Sequence, residues 1–210
     1  MQPNLLTKGG EHIDSRIDHP CPICSDGVGL LMTVHIDEIP YFGEHTQVTL
    51  ACEACGWRKT DFIPAESRGP TGHRLIVNAE HLGTRVIRSS NCTVRIPALG
   101  LEVEPGSAAS GYVSNVEGVF IRFRDTMMMM ERGHDPERDA SENLEKIRQI
   151  LDVLERILSG ENCTMELILL DPLGHSGILH ADTETWILSE EEVNAVAVGP
   201  EIPVFEVGKD

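Results

Sequence analysis

The chain has 210 residues and a formal net charge of −17 at pH 7, a size that suits one moderate domain or a small metal module followed by a larger domain. The negative charge disfavours a nucleic-acid-binding protein, because that binding depends on cations that neutralise phosphates. No apolar run approaches the roughly 20 residues that span a bilayer, and the N-terminus has no signal-peptide pattern. We therefore expect a cytoplasmic protein that contacts neither nucleic acid nor membrane.

Two C-x-x-C motifs separated by 27 residues dominate the N-terminal part of the chain. Their four thiols are the ligands that one structural zinc ion requires. A redox role would need only one such motif beside a βαβ pattern, which the sequence lacks. We predict a flexible arm over residues 1–14, a zinc ribbon over residues 15–64 and these metal ligands: Cys21, Cys24, Cys52 and Cys55.

Alternating apolar residues in Leu31–Ile36 and Gln47–Leu50 predict two strands between the motifs. With four cysteines available, His35 and His45 are interpreted as strand residues rather than ligands. An apolar loop joins the strands and has two open interpretations. It could anchor a partner, or it could pack the ribbon against the next domain. Its residues are Ile39, Pro40, Tyr41 and Phe42.

Short apolar segments separated by Gly and Pro follow the ribbon and predict a sandwich or barrel of antiparallel strands over residues 65–198. The segments begin at Arg74, Arg85, Thr93, Leu101 and Gly118. From Asp135 to Gly160 the apolar residues instead recur at alternating spacings of three and four residues, which predicts one long helix. Asp135 fits its N-cap, Pro136 its first position and Gly160 its end. A terminal strand or tail follows, with residues 199–210 as tail.

Four consecutive methionines precede this helix. Methionine side chains adapt to many shapes, so the run could form a flexible surface for a client protein or could pack in the core beneath the helix. Both interpretations stay open from the sequence. The residues are Met127, Met128, Met129 and Met130.

The sequence contains none of the common nucleotide-binding, hydrolase or metalloprotease motifs, which favours a protein that is not an enzyme. The alternative is a metal-dependent enzyme that uses the barrel interior near Asp171, His175 and His180. The remaining thiols, Cys92 and Cys163, lie in apolar segments and are interpreted as free rather than disulfide-bonded.

Several short segments occur in a fixed order along residues 18–180. They are CPIC at Cys21, IPYF at Ile39, CEACGWR at Cys52, RVIRSS at Arg85, IPAL at Ile96, SNVEG at Ser114 and DPLGHS at Asp171. In this order they resemble the ZPR-type zinc-finger family, the group of the zinc finger protein ZPR-one. SNVEG and DPLGHS depart from the family's TTVEG and DPxGNS but keep the glycine and the carboxylate.

The resemblance implies a fold and a partner. It implies a mainly β chain, in which the zinc ribbon precedes a double-stranded β-helix, a jelly-roll-like domain, that carries an α-helical hairpin at about residues 125–160. The family binds translation elongation factor one-alpha and assists its folding, so the resemblance implies a zinc-dependent chaperone. Eukaryotic members carry two modules in tandem, whereas this chain has the single module of archaeal relatives.

Overall fold

A computed structural model describes residues 12–25, 27, 29–40, 42–65, 68–106, 109–135 and 140–197. These residues form a mainly β structure with a helical hairpin, as the family resemblance implies. No helix in this described part is long and apolar enough to cross a membrane. The tail at 199–210 and residues 1–11 of the predicted arm lie outside the described residues, and the domain bounds stay predictions.

Four antiparallel strands form the N-terminal sheet in the order β1-β2-β3-β4. They are β1 His12–Ile17, β2 Leu30–Ile39, β3 Gly43–Ala51 and β4 Arg58–Pro64. Residues 12–14 correct the predicted arm, because they belong to β1 and pair with β2. Thr33 donates a 2.8 Å hydrogen bond to the Asp14 carboxylate across this pair. The segment HIDSRI contains only two apolar residues, so its pattern did not predict this strand.

The ribbon has a small core of its own. It contains five apolar side chains and two of the cysteines, namely Ile17, Leu30, Met32, Val48, Leu50, Cys21 and Cys52. A cluster of this size stabilises a fold only weakly, so a metal cross-link at the cysteines would supply much of its stability.

Two further sheets form the jelly-roll part, with orders β12-β5-β10-β7-β8 and β11-β6-β9. The strands are β5 Thr71–Val77, β6 Arg85–Arg88, β7 Thr93–Ile96, β8 Leu101–Val103, β9 Tyr112–Asn115, β10 Met165–Asp171, β11 Gly177–Leu179 and β12 Glu184–Ile187. All pairs are antiparallel, and the central strand β10 pairs Leu167 with Leu75 and Leu169 with Val94. The predicted strands at Arg74, Arg85, Thr93 and Leu101 are confirmed.

The helical hairpin consists of α1 Val116–Arg132 and α2 Ser141–Leu158, inserted between β9 and β10. The predicted strand at Gly118 is wrong, because this segment lies in α1 and the hairpin starts before residue 125. Asn115 caps α1 by accepting a 2.8 Å hydrogen bond from the Gly118 N–H. The buried residues of α1 recur at helical spacing: Val116, Val119, Phe120, Phe123 and Met127.

The long predicted helix is confirmed as α2, with its start corrected. Its N-cap is Ala140, which provides no side-chain cap, rather than Asp135. Pro136 lies outside the described residues. At the other end Gly160 has a φ of 78°, and its N–H donates to the Ile157 carbonyl at 3.1 Å, as a helix-ending glycine should.

The chain end was predicted as weak strand or tail but contains a short helix, α3 Glu190–Ala195. Ser189 and Glu192 form a reciprocal capping box at its start. The Trp186 indole N–H of β12 donates to the Glu192 carboxylate at 3.1 Å and attaches the helix to the sheet. The sequence does carry a signal for this helix, since Ser189 and Glu192 fit the S-x-x-E pattern of a capping box.

His73 on β5 makes stability depend on pH. Burial lowers the pKa of His73 from 6.5 to about 4, so the folded protein keeps the ring neutral while the unfolded chain protonates it below about pH 6.5. The contribution of His73 to the unfolding free energy is fully present above the pKa of the unfolded chain, and it is lost as the pH falls towards 4. We expect His73 to account for about 2 kcal/mol of lost unfolding free energy between about pH 7.5 and about pH 5.

Urea unfolding at the two pH values measures this loss in the wild-type protein and in His73→Gln. The loss of unfolding free energy should be smaller in the variant than in the wild type by about 2 kcal/mol. An equal loss in both proteins would assign the pH dependence to other groups, such as the metal-binding thiols.

Candidate metal centre

The two C-x-x-C turns bring four thiol sulfurs together, all within 4.8 Å of one another. Cys21 Sγ lies 3.7 Å from Cys55 Sγ, and Cys24 Sγ lies 3.6 Å from Cys52 Sγ. Four sulfurs at the usual Zn–S bond length of about 2.3 Å stand about 3.8 Å apart at the corners of a tetrahedron. The cysteine set therefore has both the ligands and the spacing of a structural zinc site.

The two turns share one backbone conformation. The Ser25 N–H donates to the Cys21 carbonyl at 2.8 Å, and the Gly56 N–H donates to the Cys52 carbonyl at 3.0 Å. The residue after each second cysteine is left-handed, with a φ of 55° at Ser25 and 76° at Gly56. Glycine adopts this conformation without strain, whereas Ser25 carries a steric cost. Nothing in the sequence predicts that Ser25 repeats the turn of Gly56, because serine carries no signal for this conformation.

The surroundings of Cys21 in the first turn favour the thiolate form of its sulfur. Burial raises the pKa of the Cys21 thiol, but hydrogen bonds from the backbone of Cys24 and Ile23 and from the thiols of Cys52 and Cys24 together outweigh it and bring the pKa to about 7. One of these bonds runs from the Ile23 N–H to Cys21 Sγ at 3.4 Å. A thiolate is the form that coordinates zinc, so this environment favours the metal-binding state.

The two ribbon histidines are strand residues, as predicted. His35 is exposed on β2, whereas His45 is buried on β3 with its ring centroid 5.8 Å from that of Phe62. Neither joins the cysteine cluster. Of the other thiols, Cys92 is buried and free, and burial raises its pKa to about 12. Cys163 is free and half-buried.

The structure does not assemble the alternative site predicted near Asp171. Asp171 is fully buried and accepts hydrogen bonds from the hydroxyls of Ser89 and Ser176 and from the N–H groups of Leu173 and His175. A carboxylate bound by four donors holds the DPLGHS turn against the RSS segment. Among the described residues it belongs to no potential metal cluster.

His180 instead lies beside His81 and Asp182, and these three are the second described set close enough to hold a metal. The Asn78 N–H donates to His81 Nδ1 at 3.1 Å, which leaves the ring proton on Nε2. His81 Nε2 is 3.5 Å from the Asp182 carboxylate. The proton therefore occupies the nitrogen that a shared metal would need, and the set does not fit a metal ion in this arrangement.

The apolar loop between β2 and β3 packs the ribbon against the jelly roll. Ile39 and Phe42 are buried in one cluster with Phe62 and Ile87. The Arg68 guanidinium lies 4.3 Å from the Phe42 ring centroid and donates to the Phe42 carbonyl at 2.7 Å. Ile39 and Phe42 are therefore not an exposed anchor for a partner. Pro40 is exposed, and Tyr41 lies outside the described residues.

A second contact joins the ribbon to the jelly roll through polar groups. The buried Asp61 carboxylate on β4 accepts hydrogen bonds from the Ser90 N–H at 2.7 Å and from the Ser90 hydroxyl. The Gly111 N–H also donates to the Thr60 carbonyl at 2.6 Å. Sequence reasoning noted RVIRSS as a family segment but assigned no role to its serines.

The four methionines divide between core and surface. Met127 is buried in the main core and Met128 is half-buried. Met129 and Met130 are 66% and 49% exposed on the last turn of α1. Each interpretation of the run thus describes part of it, because consecutive helical residues point in different directions.

A family model for the ZPR1 jelly-roll domain matches residues 80–194. A ZPR1-like protein of Methanocaldococcus jannaschii is 38% identical over 180 residues, which cover 85% of this chain and 88% of the relative. The chain belongs to the ZPR1 family. A ZPR1-like protein of Pyrococcus horikoshii is 36% identical over 186 residues, which cover 88% of this chain and 82% of that relative.

Eukaryotic members of the ZPR1 family are longer than the matched region. The zinc finger chaperone zpr1 of Schizosaccharomyces pombe is 26% identical over 159 residues, which cover 74% of this chain and 34% of the relative. This ZPR1-family chain therefore matches about a third of the fission yeast protein and more than four fifths of each of the two archaeal relatives. It represents the single-module archaeal form.

Proposed function

We propose that this ZPR1-family chain is a zinc-stabilised chaperone that binds translation elongation factor one-alpha in the cytoplasm and assists its folding. The observation that carries the proposal is the thiolate metal site. Four cysteines saturate a tetrahedral zinc ion and leave no open position for water or substrate, so the metal would stabilise a binding module rather than perform catalysis. The word chaperone in the name of the fission yeast relative supports this class, and the family resemblance suggests the client.

The exposed end of the hairpin is the part of this module that we assign to client binding. Met129 and Met130 present flexible apolar side chains at the end of α1. Such side chains adapt to different partner surfaces, which suits a chaperone that meets its client in incompletely folded states. The strongly acidic chain also favours a basic partner surface and disfavours nucleic acid.

Replacing Met129 and Met130 together by serine should weaken client binding about tenfold while zinc content and thermal stability stay unchanged. Both side chains are exposed, so they contribute little to folding but would contribute apolar contact area to a complex. The measurement is a pull-down of elongation factor one-alpha from the source organism's lysate with zinc-loaded, tagged protein, followed by titration with the purified factor.

Ile187→Ser is the matched control, because Ile187 is 69% exposed on β12, outside the hairpin. It should bind the factor as well as the wild type does. Met127→Ser should instead lower the unfolding free energy by about 2–5 kcal/mol, because Met127 lies in the core. Unchanged binding by the Met129 and Met130 double variant would remove the hairpin end from the proposal.

A further inference from the structure

A cavity of about 670 Å³ lies between α1, β9 and the β7–β8 hairpin. Val94, Val119 and Phe123 provide apolar walls, and Arg88, Arg122 and Tyr112 provide polar ones. The volume falls in the range of small-ligand and peptide-side-chain pockets. Neither the zinc site nor the hairpin end uses this cavity.

Arg88, at the end of β6, brings a buried positive charge to the cavity. Only 6% of the residue is exposed. Its Nε donates to the Cys92 carbonyl at 3.2 Å and its Nη1 to the Ser110 carbonyl at 3.3 Å. No carboxylate among the described residues pairs with it, although a guanidinium stays charged and a buried charge is costly without a counter-charge. An anion bound in the cavity would therefore be stabilised by Arg88.

A second arginine reaches the same cavity from α1. The Arg122 guanidinium lies 4.3 Å from the Tyr112 ring centroid, and that of Arg88 lies 5.7 Å from it. Arg122 has no ion pair within the described part of the chain. The one lining carboxylate, Asp125, is hydrogen-bonded by Arg124 at 2.9 Å. Two arginines and one aspartate give the cavity walls a formal charge of +1, in a chain whose net charge is −17.

We propose that this cavity binds a carboxylate group carried on an apolar body. A guanidinium pairs with a carboxylate through two parallel hydrogen bonds, and the valine and phenylalanine walls would enclose the attached carbon chain. A phosphate dianion fits less well, because its hydration shell would be lost against apolar walls and because Asp125 would repel the second charge. Where the proposed function holds, the carboxylate is an acidic side chain of the client beside aliphatic residues.

Hexanoate is a suitable probe, since it joins one carboxylate to a short apolar chain. Titrating it into the full zinc-loaded protein should produce saturable shifts of the backbone NMR signals of residues 110–112 and 119–126. Arg122→Met should weaken this binding about tenfold, because one charged hydrogen-bonded contact is lost. Arg148→Met, which removes an exposed arginine from α2, should bind hexanoate as the wild type does.

Three results would overturn the proposal: no saturable shift, equal binding of hexanol, or displacement of hexanoate by lower concentrations of inorganic phosphate. The hexanoate titration needs no client, so it stands apart from the test of function. If Arg122→Met loses hexanoate but still binds elongation factor one-alpha normally, the cavity serves a free carboxylic acid rather than the client. If the variant binds both hexanoate and elongation factor one-alpha more weakly, the client supplies the carboxylate.

Discussion

Replacing both Cys52 and Cys55 by serine will abolish zinc binding and unfold the ribbon. These residues supply half of the thiols in the cluster, and two remaining thiols cannot complete a tetrahedral site. Among the described residues, the ribbon's own core comprises seven buried side chains, two of which belong to cysteines from the cluster. Structural zinc contributes about 10–16 kcal/mol to isolated finger peptides, so the loss exceeds what so small a core could offset.

Zinc content by elemental analysis and hydrogen exchange by NMR measure this result. The variant should contain no zinc, and the amides of β2 and β3 should lose protection while those of β10 keep theirs. Cys163→Ser is the matched control, because this cysteine lies outside the cluster. It should retain one zinc per chain. Retention of a stoichiometric zinc ion by the double variant would contradict the four-cysteine site.

Asp171→Ala will lower the unfolding free energy by about 3–5 kcal/mol. Its carboxylate accepts hydrogen bonds from two hydroxyls and two backbone N–H groups in a fully buried position. Removing the acceptor leaves these donors without a partner, at a cost of about 1–3 kcal/mol for each one that water cannot reach. Asp171→Asn should lose less, because one acceptor oxygen remains.

Chemical denaturation of the zinc-loaded protein tests this prediction. Asp152→Ala is the control, since Asp152 is exposed on α2 and its loss should change stability by less than about 0.5 kcal/mol. A variant Asp171→Ala that is as stable as the wild type would show that the carboxylate does not hold the turn. The interpretation of Asp171 as a functional group would then return.

The metal site was predictable because its information is local. Each C-x-x-C turn places two thiols on one side of a short loop, and only the pairing of β2 with β3 is needed to bring the turns together. The helix α2 was predictable for a similar reason, since its apolar spacing extends over several turns. The left-handed Ser25 was not, because serine rarely adopts that conformation and carries no signal for it.

Other features depend on contacts that the sequence does not display. The segment GVFIRF of α1 is too short and too apolar to distinguish a strand from a helix by its period. The sequence does not show whether Phe42 is exposed or buried, because its neighbours Phe62 and Ile87 come from other strands. The Ser89 hydroxyl reaches Asp171 from the end of a different strand, and Arg88 reaches the carbonyl of Ser110 beyond its own strand. No local pattern predicts these two contacts.

The affinity of the zinc-loaded chain for purified elongation factor one-alpha tests the proposed function most directly. Calorimetric titration should show a saturable complex of one chain per factor, and the zinc-free Cys52→Ser, Cys55→Ser variant should not form it. A saturable complex that requires the intact ribbon is the result we expect. The absence of any complex, with a factor that is folded and a chain that carries its zinc, would contradict the proposed function.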